Sequence, residues 1–161
     1  MNTPLSLSVT TTIQAAPEVV WEVMSDVERW PEWTPTVTRI QRLDRGPLAV
    51  GSRVHVRQPK LPPATWRISE LQPGLSFTWV TRSPGVRVIA SHRVEARPGG
   101  SQATLSIAFD GLLGPLVGRW ARALSERYLQ LEAAGLKRRS EEPHTPPVAA
   151  PSAHSSTAQT R

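Results

Sequence analysis

The sequence predicts an α+β fold: one antiparallel sheet of about seven strands, two short helices after the first strand, and a long C-terminal helix packed on the sheet. Three observations carry this expectation. The opening segment alternates apolar and small polar residues, further β-rich runs are separated by turn chemistry, and one apolar stripe follows the last long stretch without strand character.

Leu5–Ile13 alternates and is rich in β-branched residues, so it reads as a strand. Ala15-Ala16-Pro17 announces a helix, because a first helical turn has no use for the N–H that proline lacks. Val20, Val23, Met24 and Val27 follow at helical spacing. Ser25 or Asp26 is placed to cap a second short helix, bounded by Pro31 and Pro35. Strands are then expected over 37–43, 51–58, 65–71, 76–82, 86–96 and 102–109. Their separators are turn formers: Asp44-Arg45-Gly46, Pro62-Pro63, Pro73-Gly74, Pro84-Gly85 and Pro98-Gly99-Gly100. Such short connections suit an antiparallel meander.

Residues 111–139 read as one helix, with Pro115 in its first turn. Leu113, Val117, Trp120, Leu124, Tyr128 and Leu131 recur at three- and four-residue steps and form its apolar stripe. Arg119, Arg122, Glu126, Arg127 and Glu132 fall mostly outside it. The stripe must cover apolar surface, and the sheet is the only large partner available.

From 140 to 161 the chain turns to Ser, Thr, Pro, Ala and Gln, with Val148 its only large aliphatic residue. A segment of that kind cannot bury enough apolar area to offset its ordering entropy. The expectation is therefore a folded domain over 1–139 and a disordered tail over 140–161.

Composition excludes several classes of function. There is no cysteine, so disulfides, thiolate metal sites and a Cys nucleophile are absent. No Gly-x-Ser-x-Gly elbow or phosphate-cradling Gly-rich loop occurs; Gly111-Leu112-Leu113-Gly114 lacks the spacing and the Lys. His55 and His92 without converging carboxylates do not make a metal site, and His144 and His154 lie in the expected tail. No cofactor is expected. The formal charge is +6, but the basic residues are scattered singly except at Lys137-Arg138-Arg139, so a solvated surface is expected rather than a nucleic-acid site. Met1-Asn2-Thr3-Pro4 has neither the basic nor the apolar region of a signal peptide, and no run of about 18 apolar residues exists. Cytoplasmic residence is the default expectation, and the Arg, Ala and Pro bias is that of a high-GC bacterial genome.

The order strand, two short helices, six strands, long helix resembles the START/Bet v 1-like superfamily of polyketide cyclases and lipid-transfer proteins. Particular segments add to that resemblance. Ile13-Gln-Ala-Ala-Pro-Glu-Val-Val-Trp21 is similar to the family's strand-to-helix entry, and Asp26-Val-Glu-Arg-Trp30-Pro-Glu-Trp33 to its second-helix signature. Gly51-Ser-Arg-Val54 resembles the start of its third strand and Glu70-Leu-Gln-Pro-Gly74 its turn into the fifth. The resemblance implies a helix-grip fold, in which a curved sheet and the long helix enclose a cavity for a hydrophobic ligand such as a lipid, isoprenoid or polyketide.

Within that fold, strand parity sorts the side chains. His92 shares a face with Val86, Val88, Ala90 and Val94, so it points inward among apolar neighbours; Arg87, Arg93 and Glu95 point out. Trp66, Phe77, Trp79, Trp120, Leu124 and Tyr128 are the expected cavity walls, with Gln58, His92 and Tyr128 as its polar groups. The aromatics are equally compatible with a filled core. Trp30 and Trp33 are candidates for the mouth. Three functions follow: a carrier or binder of a small hydrophobic molecule; a polyketide cyclase or dehydratase with His92 as base and Tyr128 or Arg57 as donor; or a partner-binding module acting through the basic helix end and tail, on an acidic protein, RNA or a membrane surface. Against catalysis stands the lack of an inward carboxylate beside His92, since Glu70 and Asp110 sit at strand ends. Oligomeric state is left open.

Overall fold

A computed structural model of the chain describes residues 5–143. Strand β1 (Leu5–Ile13) leads through α1 (Pro17–Ser25) and a 3-10 helix (Val27–Glu32) to β2 (Arg39–Arg42) and β3 (Arg53–Arg57). Strands β4 (Ala64–Gln72), β5 (Ser76–Ser83), β6 (Val86–Arg97) and β7 (Gly100–Asp110) follow, and α2 (Gly114–Glu141) closes the order. The seven strands form one sheet in the order β1-β7-β6-β5-β4-β3-β2. Every pairing is antiparallel, with Leu5 opposite Phe109 and Ile13 opposite Ser101 where the first strand joins the last. This is the helix-grip arrangement expected from the sequence.

Alternation along the strands decides the inner face. Val54, Val56, Trp66, Ile68, Phe77, Trp79, His92, Val94, Ala103 and Leu105 are buried, while Arg53, Arg57, Arg67 and Arg93 are exposed. The core is anchored where α1 and the 3-10 helix meet this face, through Val20, Met24, Val27 and Trp30. The Trp30 indole N–H donates to the Met24 carbonyl at 3.1 Å, which fixes the turn between the two helices. Strand β2 is shorter than the expected 37–43 and is an edge strand, pairing with β3 alone.

Helix α2 begins later than its apolar pattern suggests. Gly111 has φ 95°, a left-handed conformation that a right-handed helix cannot contain. The Leu113 N–H then donates to the Gly85 carbonyl at 2.8 Å, tying the helix entry to the β5–β6 turn. At the other end the helix runs to Glu141, past the expected domain end at 139. The Glu141 carboxylate accepts from the Gln14 backbone N–H at 2.7 Å and from Lys137 at 2.6 Å. The expected tail lies outside the described residues from 144 onward, and His144 and His154 with it.

Glycines seat α2 at both ends. A Cβ at Gly118 would lie 2.8 Å from the Leu5 side chain and 3.0 Å from that of Phe109. A Cβ at Gly135 would collide with the Trp33 carbonyl oxygen. Close approach at Gly118 and Gly135 leaves the intervening turns, with larger side chains, to arch over the sheet.

Candidate functional site

Under that arch lies a cavity of about 580 Å³. Val56, Trp66, Trp79, Val88, Ala90 and Ile107 wall it from the sheet, and Val117, Ala121, Leu124 and Leu129 from α2. Its volume falls within the roughly 300–1,000 Å³ of small-molecule sites. Pro62, Pro63, Arg82 and Trp120 form an exposed rim, whereas Trp30, His92 and Glu132 are buried and form the deep end.

At the deep end, His92 on β6 and Glu132 on α2 meet, with Nε2 2.9 Å from Oε1. A carboxylate only accepts, so the shared hydrogen belongs on Nε2. The other ring nitrogen, Nδ1, is buried and has no partner. Phe77 stacks on the imidazole at 4.6 Å, and the Trp30 and Trp79 rings stand on edge to it at 5.1 and 5.5 Å. These rings fix the plane of the imidazole. The arrangement is a hydrogen-bonded acid–base pair in an apolar cage, with the second imidazole nitrogen buried and unpaired. Burying that nitrogen unpaired costs about 1–3 kcal/mol.

Several expected site residues are placed otherwise than the sequence suggested. Gln58, Trp66, Trp79, His92, Trp120, Leu124 and Tyr128 all line the cavity. Trp120, however, is 85% exposed, so it is a rim residue rather than an enclosed wall. Phe77 is fully buried behind His92 and does not line the space. Arg57 is exposed on the outer face opposite Arg39, because β3 pairs without a bulge; the one register shift lies between Ile68 and Glu70. Arg57 is therefore not placed to donate into the cavity. The Tyr128 hydroxyl lines the cavity but donates to the Pro59 carbonyl, linking α2 to the β3–β4 loop; burial raises its pKa above the ordinary phenol value. Trp30 and Trp33 are buried rather than at the mouth: Trp30 sits at the deep end and Trp33 beneath Gly135.

The largest correction concerns Glu132, which the sequence reading set outside the apolar stripe. It is buried and central to the inward face of α2. A helix advancing about 3.6 residues per turn carries Tyr128 directly to position 132. The i, i+4 step was the available signal, overruled because the residue is charged. Ser125 and Thr81 also line the cavity and add hydroxyls to its polar set.

The basic helix end is likewise occupied within the chain. Lys137 pairs with Glu141, Arg139 with Glu142 and Glu32, and Arg138 donates to the Trp33 carbonyl. His55 sits on the outer sheet face, with Nδ1 3.2 Å from the Thr65 hydroxyl. Among the described residues there is no cluster of three or more potential metal ligands. Nor is any helix there long and apolar enough to cross a membrane.

A long helix gripping a seven-stranded sheet over one internal cavity defines a helix-grip cavity protein. The chain belongs to the polyketide cyclase/dehydrase and lipid transport family, whose pattern matches residues 4–141. No curated protein matches it in sequence. Three solved structures illustrate the shared fold. Ginseng major latex-like protein 151 from Panax ginseng superposes with TM-score 0.68 at 17% identity, covering 90% of this chain and 100% of that one. The Zhui aromatase/cyclase from Streptomyces sp. R1128 gives 0.62 at 19% identity, covering 86% and 92%. The di-domain aromatase/cyclase StfQ of the steffimycin pathway gives 0.67 at 13% identity; the match covers 86% of this chain but only 51% of that protein.

Proposed function

We propose that the protein binds a small, largely apolar and partly planar molecule, of lipid, isoprenoid or polyketide type, in the cavity between its sheet and α2. The observation that carries this is the cavity itself: about 580 Å³ of space with Trp66 and Trp79 as walls and a single buried polar pair at its deep end. A filled core would bring α2 onto the sheet along its length, whereas the helix is seated by glycines near its ends. A planar ligand can stack on the indoles. A bacterial, cytoplasmic setting is part of the proposal and rests on composition. The test is titration with a lipophilic fluorescent probe against the wild type and an Ala121→Trp variant, which fills the cavity from α2. Saturable binding lost in the variant supports the reading; equal binding by both contradicts it.

A second reading, polyketide cyclisation or dehydration, is favoured by one specific observation, the His92–Glu132 pair. In an aldol cyclisation His92 would remove an α-proton, and the Glu132 carboxylate would stabilise the imidazolium that forms. The enolate oxygen needs a donor, for which the Gln58 amide or the Ser125 hydroxyl is better placed than Arg57 or the engaged Tyr128. Incubation with a linear poly-β-ketone thioester tests this. Cyclised product that falls by about a hundredfold in Glu132→Gln, which keeps an acceptor oxygen but removes the charge, supports catalysis. Binding of the thioester without turnover leaves the carrier reading standing alone.

A further inference from the structure

Among the described residues, four of the six exposed large apolar side chains lie on the α2 entry beside the cavity mouth; the other two, Leu43 and Val50, lie around the β2–β3 connection. Leu112 is 85% exposed, Leu116 68% and Trp120 85%, with Leu113 half-exposed between them. Leu116 and Trp120 are four residues apart, so they stack on one face of α2. The bond from Leu113 to Gly85 holds the β5–β6 turn against the same patch. Trp120 is at once part of the patch and part of the rim, so the apolar surface is continuous with the opening.

A cationic rim accompanies this patch. Arg82 borders the opening, Arg119 adjoins Trp120, and Lys60 lies in the β3–β4 loop that supplies Pro62 and Pro63. Among the described residues none of these three groups has an ion-pair partner; the acids at this end, Asp110 and Glu126, are held by Arg87 and Arg122. At the far end of α2, by contrast, Lys137 pairs with Glu141 and Arg139 with Glu32 and Glu142.

We propose that this face docks on an anionic lipid bilayer, with Leu112, Leu116 and Trp120 entering the interface and the arginines meeting lipid phosphates. Apolar side chains on a helix flanked by Arg, with a Trp at headgroup depth, are the chemistry of interfacial attachment. The same-sign rim argues against a second copy of the chain as occupant. The inference rests on the ligand-binding reading, since docking would hold the mouth against the layer that dissolves an apolar ligand.

The experiment is flotation of the ligand-free protein with phosphatidylcholine vesicles, with or without phosphatidylglycerol, which reads docking without reference to any ligand. Binding is expected on anionic vesicles only. It should fall about tenfold in Trp120→Ser or Leu116→Ser, roughly fivefold in Arg119→Glu, and with rising salt. Circular dichroism should be unchanged in all three variants, and probe binding unchanged in Leu116→Ser and Arg119→Glu, whose side chains are exposed and lie outside the cavity lining. Absence of flotation with probe binding intact overturns docking and leaves the cavity reading in place; flotation with no probe bound does the reverse. Flotation indifferent to Trp120→Ser overturns the assigned face. So does a dimer in sedimentation that Trp120→Ser converts to monomer, which would make the patch a self-interface.

Discussion

His92 and Glu132 are forty residues apart in the chain and 2.9 Å apart in space, one on the sixth strand and the other on the last helix. Both are nearly inaccessible to solvent, and their bond joins sheet to helix across the deep end of the cavity. It is the one buried contact between a carboxylate and a basic side chain among the described residues, whose other carboxylate pairs are partly exposed. A buried polar pair is costly to split and less costly to remove whole.

Glu132→Ala should therefore lower stability by about 2 kcal/mol, because it leaves the imidazole with neither nitrogen paired. The double variant His92→Phe, Glu132→Leu should recover most of that loss while abolishing recognition of a ligand donor. Urea unfolding of the two variants beside the wild type measures the first effect and probe titration the second. If the double variant were no more stable than Glu132→Ala, the pair would not be the isolated polar contact described above.

Gly135→Ala should destabilise the fold by about 1–3 kcal/mol, although alanine is the better helix former by about 1 kcal/mol. The added methyl meets the Trp33 backbone oxygen, which cannot move aside as a side-chain tip can. Thermal unfolding checks this. A neutral or stabilising effect would mean that α2 does not seat on Trp33.

Tyr128→Phe removes the bond to the Pro59 carbonyl and should cost about 1 kcal/mol, with faster exchange of bound probe as the β3–β4 loop loosens. The sign with pH follows from burial, which raises the phenol pKa in the folded state. The protonated phenol is favoured by folding, so this contribution is complete below the unfolded value near 10 and lost as pH rises through the higher folded value. Wild type and variant should converge in stability at strongly alkaline pH.

Glu141 shows the opposite sign. The Gln14 N–H, followed by Lys137, holds its pKa below the ordinary carboxylate value. Its contribution is thus present above the unfolded pKa and disappears as pH falls through the lower folded one. Glu141→Gln should be less stable than wild type at neutral pH and equal to it in acid, as followed by unfolding across that range.

The fold was legible because both periodicities were clean: alternation on β6 and β7, and the turn formers between strands, leave few ways to assemble the middle of the chain. His92 was placed correctly by parity alone. What was not legible depends on rotation of α2 about its axis. Apolar identity favoured Trp120 and Leu131 as inward, whereas close approach of Gly118 to Leu5 and Phe109 and of Gly135 to Trp33 fixes the rotation of the helix, and the inward face contains Glu132. Glycine contributes nothing to an apolar stripe, so its steric role is invisible to hydropathy. Parity puts Arg57 outward unless a bulge near Pro59 reverses it, and β3 pairs without one; Tyr128 lines the cavity as expected, but its bond to the β3–β4 loop is a property of packing, not of composition.

The central claim, an occupied cavity rather than a filled core, is tested most directly by native mass spectrometry of the purified protein, with denaturing extraction and identification of what is released. The account predicts a co-purifying apolar molecule, recovered from the wild type and lost from Ala121→Trp and His92→Ala. A protein recovered empty from repeated preparations, and equally empty after incubation with lipophilic probes, would contradict it.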